Sequence, residues 1–97
     1  MFEEFEEMTP EEVARRLEEG GHTGDRNQPH RCPIAQYVAS KVPAKPFTLV
    51  LTGTEGTRVR TDMYTPDRTD VDYAHPPSVA GFIRAFDAGR YPFLEEK

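Results

Sequence analysis

One cysteine, no tryptophan and no apolar run longer than the stretch around FTLVL mark what this chain of 97 residues has little of. A lone cysteine cannot close an intramolecular disulfide, so the reducing cytoplasm is the default compartment. The N-terminal MFEEFEEM lacks the basic and long apolar regions of a secretory signal. A membrane-spanning helix needs roughly 20 predominantly apolar residues, and no segment approaches that. Positive charge is also scarce. Twelve Lys and Arg against 17 Asp and Glu leave a net charge of −5, which opposes sequence-independent binding to a phosphate backbone. Motifs of the common catalytic classes are missing as well: there is no G-x-S-x-G, no H-E-x-x-H and no Walker pattern, and GTEG lacks the lysine and following helix of a phosphate loop.

What remains suits a single small domain with one modest core. Its acids are clustered: Glu3, Glu4, Glu6, Glu7, Glu11 and Glu12 crowd the start, and Asp62, Asp67, Asp70 and Asp72 a later loop. Such runs are ordinarily solvated surface, with a basic partner or imitation of DNA phosphates as the sharper readings.

Helix signals are strongest in MTPEEVARRLEEGG. Thr9 as N-cap, Pro10 at N1 and Glu12 at N3 spell a capping box, Met8 and Val13 occupy the staple positions, and Gly20 or Gly21 ends the helix. Val13, Ala14 and Leu17 form its apolar stripe, and Glu11 with Arg15 and Glu12 with Arg16 stand four apart in the favourable order. Before it, Phe2 and Phe5 lie three apart in an acidic segment, residues 1–8, that reads as a mobile tail or a short docking turn. GGHTGDRNQPH has no period and reads as a long loop, uncommon unless functional or tied down. Cys32-Pro33 then repeats the cap-then-proline layout, with Ile34, Tyr37, Val38 and Val42 on one helical face and Pro43 as the stop.

Beyond PAKP the period falls to two. FTLVLT and TRVRTDM, separated by GTEG, predict a hairpin with a loop of four or five residues. Phe47, Leu49 and Leu51 are expected on the core face, as are Val59 and Met63, with Arg58 and Arg60 on the wet face. TDVDY is a short candidate third strand. In the last helix Val79, Phe82, Ile83 and Phe86 form the stripe, Ser78 is the expected N-cap, Gly89 the C-terminal stop, and Gly81 a site of close backbone approach. Phe47, Phe82 and Phe86 are expected to supply much of the buried area. The order α-α-β-β-(β)-α gives an α+β domain over residues 9–94, its antiparallel hairpin or three-stranded sheet covered on one face by helices, with 95–97 as a tail.

CPIAQYV together with the terminal FIRAFDAGRYPFL resembles small proteins encoded by actinobacteria and their phages. There a helix like that of Cys32, Pro33, Ala35 and Tyr37 follows a glycine-containing loop, and the chain closes on an F-D-x-G-x-Y-P segment like Phe86 to Pro92. The likeness covers residues 9 to 94. It implies a compact cytoplasmic domain and carries no activity or catalytic residue with it.

Three functions compete. The leading expectation is a protein–protein interaction or regulatory module without catalysis or cofactor, using Phe2, Phe5, Arg58 and Arg60 on the N-terminal segment and wet sheet face, or the 20–31 loop. Its partner would be another protein, or a second copy joined through the hairpin edge. The rival is a thiol- or metal-dependent enzyme centred on Cys32 with His30 and His75. A thiol at a helix start can be activated by the helix dipole, and His22, His30, Cys32 and His75 form a donor set acceptable to zinc, though in spacing unlike the common zinc patterns. Against it, free cysteine is among the most buried residue types and Pro33 removes a donor. Asp70 and Asp72, two apart on a strand, are candidates for a pair whose repulsion raises one pKa, and Asp87 for a local bond or a pair with Arg84 or Arg90. The third reading, nucleic-acid binding through Arg58 and Arg60, lacks a basic recognition helix.

Overall fold

Thr9 opens the first long helix, α1 (Pro10–Glu19), through a complete capping box. Its hydroxyl accepts the Glu12 N–H at 3.2 Å, and the Glu12 carboxylate accepts the Thr9 N–H at 3.0 Å. The helix stops in a Schellman turn, with Gly21 at φ +73°, its N–H on the Glu18 carbonyl and the His22 N–H on that of Leu17. α2 (Pro33–Lys41) follows with Cys32 as N-cap residue, then β1 (Leu49–Thr52), β2 (Gly56–Thr61), β3 (Thr69–Ala74) and α3 (Pro77–Asp87). Short 3₁₀ turns at Glu3–Phe5 and Pro92–Leu94 flank them. The computed structural model describes residues 1–28, 31–42, 48–62 and 64–95; Pro43, Phe47, Met63 and the tail residues 96 and 97, all named in the expectations above, lie outside those described.

The expected order α-α-β-β-β-α is observed, and TDVDY is indeed a strand. The sheet is antiparallel with β2 in the centre, pairing Val50 with Val59 and Thr52 with Thr57 on one side and Val59 with Val71 and Thr57 with Tyr73 on the other. α2 packs against β1 and α1 against α3. Gly81 allows the second contact: a Cβ there would stand 3.0 Å from Pro10 Cγ. Phe82 and Phe86 are fully buried, as expected, and Tyr91 stacks on Phe82 at 5.4 Å. Each buried phenylalanine contributes about 1.5–3 kcal/mol of transfer free energy.

Several expectations are corrected. Of the two readings of residues 1–8 the docking turn is the one observed: Phe2 and Phe5 are 4% and 0% exposed and pack against Tyr37 at 6.1 and 5.0 Å, while Glu3, Glu4, Glu6 and Glu7 stay exposed. Arg16 reaches Glu4 of this segment at 3.6 Å, while the Glu12 carboxylate accepts the Thr9 N–H. β1 faces the other way round. Its pairing with β2 puts Val50 and Thr52 inward with Val59 and Thr57, and leaves Leu49 and Leu51 beside Arg60 and Arg58 on the outer face. Gly56 already belongs to β2, so only residues 53–55 connect the strands, closed by the Gly53 N–H on the Gly56 carbonyl. α3 starts before Ser78, with Pro76 as cap residue and Pro77 at N1, and the Ser78 hydroxyl instead donates to the buried Phe5 carbonyl. Gly89, at φ +81°, ends α3 as expected.

The long loop is tied down. Gly24 bridges to Glu95 beside it, its N–H donating to the Leu94 carbonyl at 2.9 Å, and Arg26 pairs with Glu95 at 2.9 Å. Asp87 completes the tether by accepting the Asn27 N–H at 3.0 Å, a long-range bond in place of the local ones expected.

Candidate functional site

The thiol of Cys32 is placed by the start of α2, where Pro33 fixes the backbone and the chain turns inward. It is 5% exposed, at the inner end of a 150 Å³ cleft shared with Asn27, Thr52, Ile83 and Asp87. Burial pushes its pKa up to about 11; the amides of Ile34 and Ala35 pull it down in part, and Asp87 adds to the rise. At neutral pH the sulfur is therefore a packed thiol and a poor nucleophile.

His75 is committed elsewhere. Nδ1 lies 3.0 Å from the Thr54 carbonyl, which can only accept, so that nitrogen carries the proton and Nε2 accepts from Thr57 Oγ1 at 2.6 Å. Thr57 in turn lies 3.2 Å from Thr52 Oγ1, and the ring meets Phe2 edge-on at 5.0 Å. A hydroxyl held by an oriented imidazole has the layout of a nucleophile and base. Thr57, however, is 1% exposed, so the relay satisfies two buried hydroxyls of the sheet. His22 sits apart, edge-on to Tyr37 at 5.7 Å, its pKa lowered by burial and then by Arg16 and Lys41. His30 lies outside the described residues. Among the described residues no three His, Cys, Asp or Glu side chains converge on one point.

The outer face of the sheet is where strand register brings charge together. Arg58 meets Asp72 in a two-bonded pair, Nε–Oδ1 2.7 Å and Nη2–Oδ2 3.2 Å, and Arg60 meets Asp70 at 2.9 and 3.3 Å. With the β1 partners included, two rows cross the sheet, Leu49–Arg60–Asp70 and Leu51–Arg58–Asp72. Neither aspartate has a raised pKa: hydrogen bonds from Arg60 and Arg58 hold Asp70 and Asp72 below the usual carboxylate range. The expected acid pair is thus two ion pairs, and the two arginines have partners on their own sheet.

The inner face is covered unevenly. Along Val50–Val59–Val71 the first residue is half-buried, the second buried and the third 47% exposed. β3 is an outer strand, exposed at every residue except the half-buried Tyr73. Beside its C-terminal half runs a groove of about 430 Å³ lined by Glu3, Glu6, Phe2, Asp72, Tyr73 and neighbours. Asp72 and Tyr73 leave opposite faces of the strand, and no β2 residue lines the groove, so it follows the free edge of the sheet. Of the expected binding residues, Phe2 lines this groove and Phe5 lies in the core beneath it, whereas Glu3, Glu6 and Tyr73 were not named for binding; the alternation in TDVDY was the signal of an edge strand. No known family, characterised protein or solved structure matches the chain.

Proposed function

We propose that this chain is a protein-binding module without catalytic activity, and that it takes its partner along the free edge of β3. The observation that carries this reading is Val71, the solvent-open end of an apolar row whose other members lie under the helices. An outer strand offers unpaired N–H and C=O groups as a template for another strand, and an adjacent row of apolar side chains gives such a strand something to bury. The rival readings receive less support. A buried thiol with a raised pKa suits packing better than catalysis, and arginines already held by Asp72 and Asp70 suit a surface ladder better than phosphate. No helix among the described residues is long and apolar enough to cross a membrane. A reducing, cytoplasmic setting fits the single thiol.

Photo-crosslinking in the native host tests it. A benzoylphenylalanine at the exposed Thr69 should give a discrete adduct that the same group at Glu18, on the outer side of α1, does not. Equal labelling from both positions would remove the proposal.

A further inference from the structure

We infer that the occupant of the β3 edge is an extended segment of another protein with lysine or arginine at alternate positions and apolar residues between them. This rests on the proposed use of that edge. A fourth strand beside β3 would set its side chains alternately next to Asp70 and Asp72 on the outer face and next to Val71 and Tyr73 on the inner face. The two kinds of position want different chemistry. Arg58 and Arg60 approach their carboxylates from β2, and a carboxylate has about four acceptor sites, of which each pair uses two. Acceptor capacity remains for a cation arriving from the free side. The groove adds to the same sign. Glu3 is paired with the N-terminal ammonium at 2.6 Å, but Glu6 has no ion-pair partner among the described residues, and no Lys or Arg lines the groove.

A second copy of this chain fits worse. In a two-fold antiparallel pairing centred on Asp70, Val71 or Asp72, an aspartate of one copy falls directly opposite an aspartate of the other, and like charges opposite each other destabilise a sheet. The alternating acids thus guard the edge against self-pairing while leaving it open to a basic strand.

Fluorescence anisotropy with a labelled probe peptide, K-V-R-V-K-V between Gly-Ser flanks, tests the chemistry, with amide chemical-shift mapping to locate it. The basic peptide should bind and shift amides of residues 69–76 and 3–6. The counterpart with glutamate at the basic positions should bind at least about tenfold more weakly. A version N-methylated on the central Arg-Val pair keeps every charge but blocks the amide that would face β3 in either strand direction, and should not bind. Asp70→Asn with Asp72→Asn should weaken the basic peptide by about tenfold, and Val71→Asn, which leaves every charge in place, should weaken it as well. Equal binding of the N-methylated peptide would reduce the site to a charged patch and overturn the inference. A specific crosslink from Thr69 with no preference for the basic peptide would overturn the basic partner and leave the edge reading standing. Loss of the Thr69 crosslink would remove both. A dimer in sedimentation that Val71→Asn dissociates would assign the edge to a second copy instead.

Discussion

Thr57 Oγ1 stands 2.6 Å from Nε2 of His75, and that one contact makes the inner face of the sheet sensitive to pH. The imidazole must stay neutral for Nε2 to accept. Burial holds its pKa below the ordinary value of 6.5, and the bond to the Thr54 carbonyl raises it only in part. The folded chain therefore binds a proton less readily than the unfolded one. The contribution of His75 to stability is complete above pH 6.5, is lost as pH falls from there through the folded pKa, and levels off below it. His22 acts in the same direction. Urea midpoints at pH 7.5 and 5.5 should differ more for the wild type than for His75→Gln. An identical drop in both would mean that the imidazole carries none of the dependence.

Phe5 is fully buried at the N-terminus, and its carbonyl receives the Ser78 hydroxyl from α3. Phe5→Ala should cost about 3–5 kcal/mol, the usual range for emptying a buried aromatic site. Phe93→Ala, at a residue 50% exposed, should cost about 1 kcal/mol or less. Comparable small effects at both positions in chemical denaturation would return residues 1–8 to the status of a tail.

The Cys32 thiol should react slowly. A rise from 9.0 to about 11 lowers the thiolate fraction near neutral pH by about a hundredfold, and limited access slows attack further. Alkylation by iodoacetamide at pH 7.5 should therefore be at least about a hundredfold slower in native protein than in urea. Rapid native labelling would reopen the catalytic reading of this residue.

Both ends of α1 and the close of α3 were legible in the sequence because their chemistry is local. Thr9 and Glu12 satisfy each other's amides three residues apart, and Gly21 and Gly89 supply left-handed turns no distant residue must endorse. The face of β1 was not. Leu49 and Leu51 outweigh Val50 and Thr52 in hydrophobicity, and only pairing with β2, plus a relay from His75 eighteen positions beyond Thr57, makes threonine the inward residue. The same limit applied to the site. Arg58, Arg60, Asp70 and Asp72 were visible as charges, but whether the arginines form a patch or the aspartates a titrating pair depends on register, which set each arginine opposite an aspartate. Phe2 and Phe5 were recognised as apolar, and their destination depended on Tyr37 and α3, far along the chain.

Gly24 offers the sharpest test of how the long loop is held. Its N–H donates to the Leu94 carbonyl, while the next residue, Asp25, donates to the Arg31 carbonyl at 2.7 Å, so the chain crosses itself where no side chain fits. A Cβ on Gly24 would fall 1.8 Å from the Arg31 oxygen, a backbone atom that cannot swing aside. Gly24→Ala should therefore cost about 3 kcal/mol, by displacing either the Leu94 bond or the entry into α2. Gly53 is the matched control: a Cβ there meets only the Gly56 oxygen at 3.8 Å, an ordinary contact, so Gly53→Ala should stay within about 0.5 kcal/mol of wild type. Urea denaturation of the two variants decides it. If Gly24→Ala is as stable as Gly53→Ala, the loop yields at little cost and Cys32 is less firmly enclosed than its burial indicates.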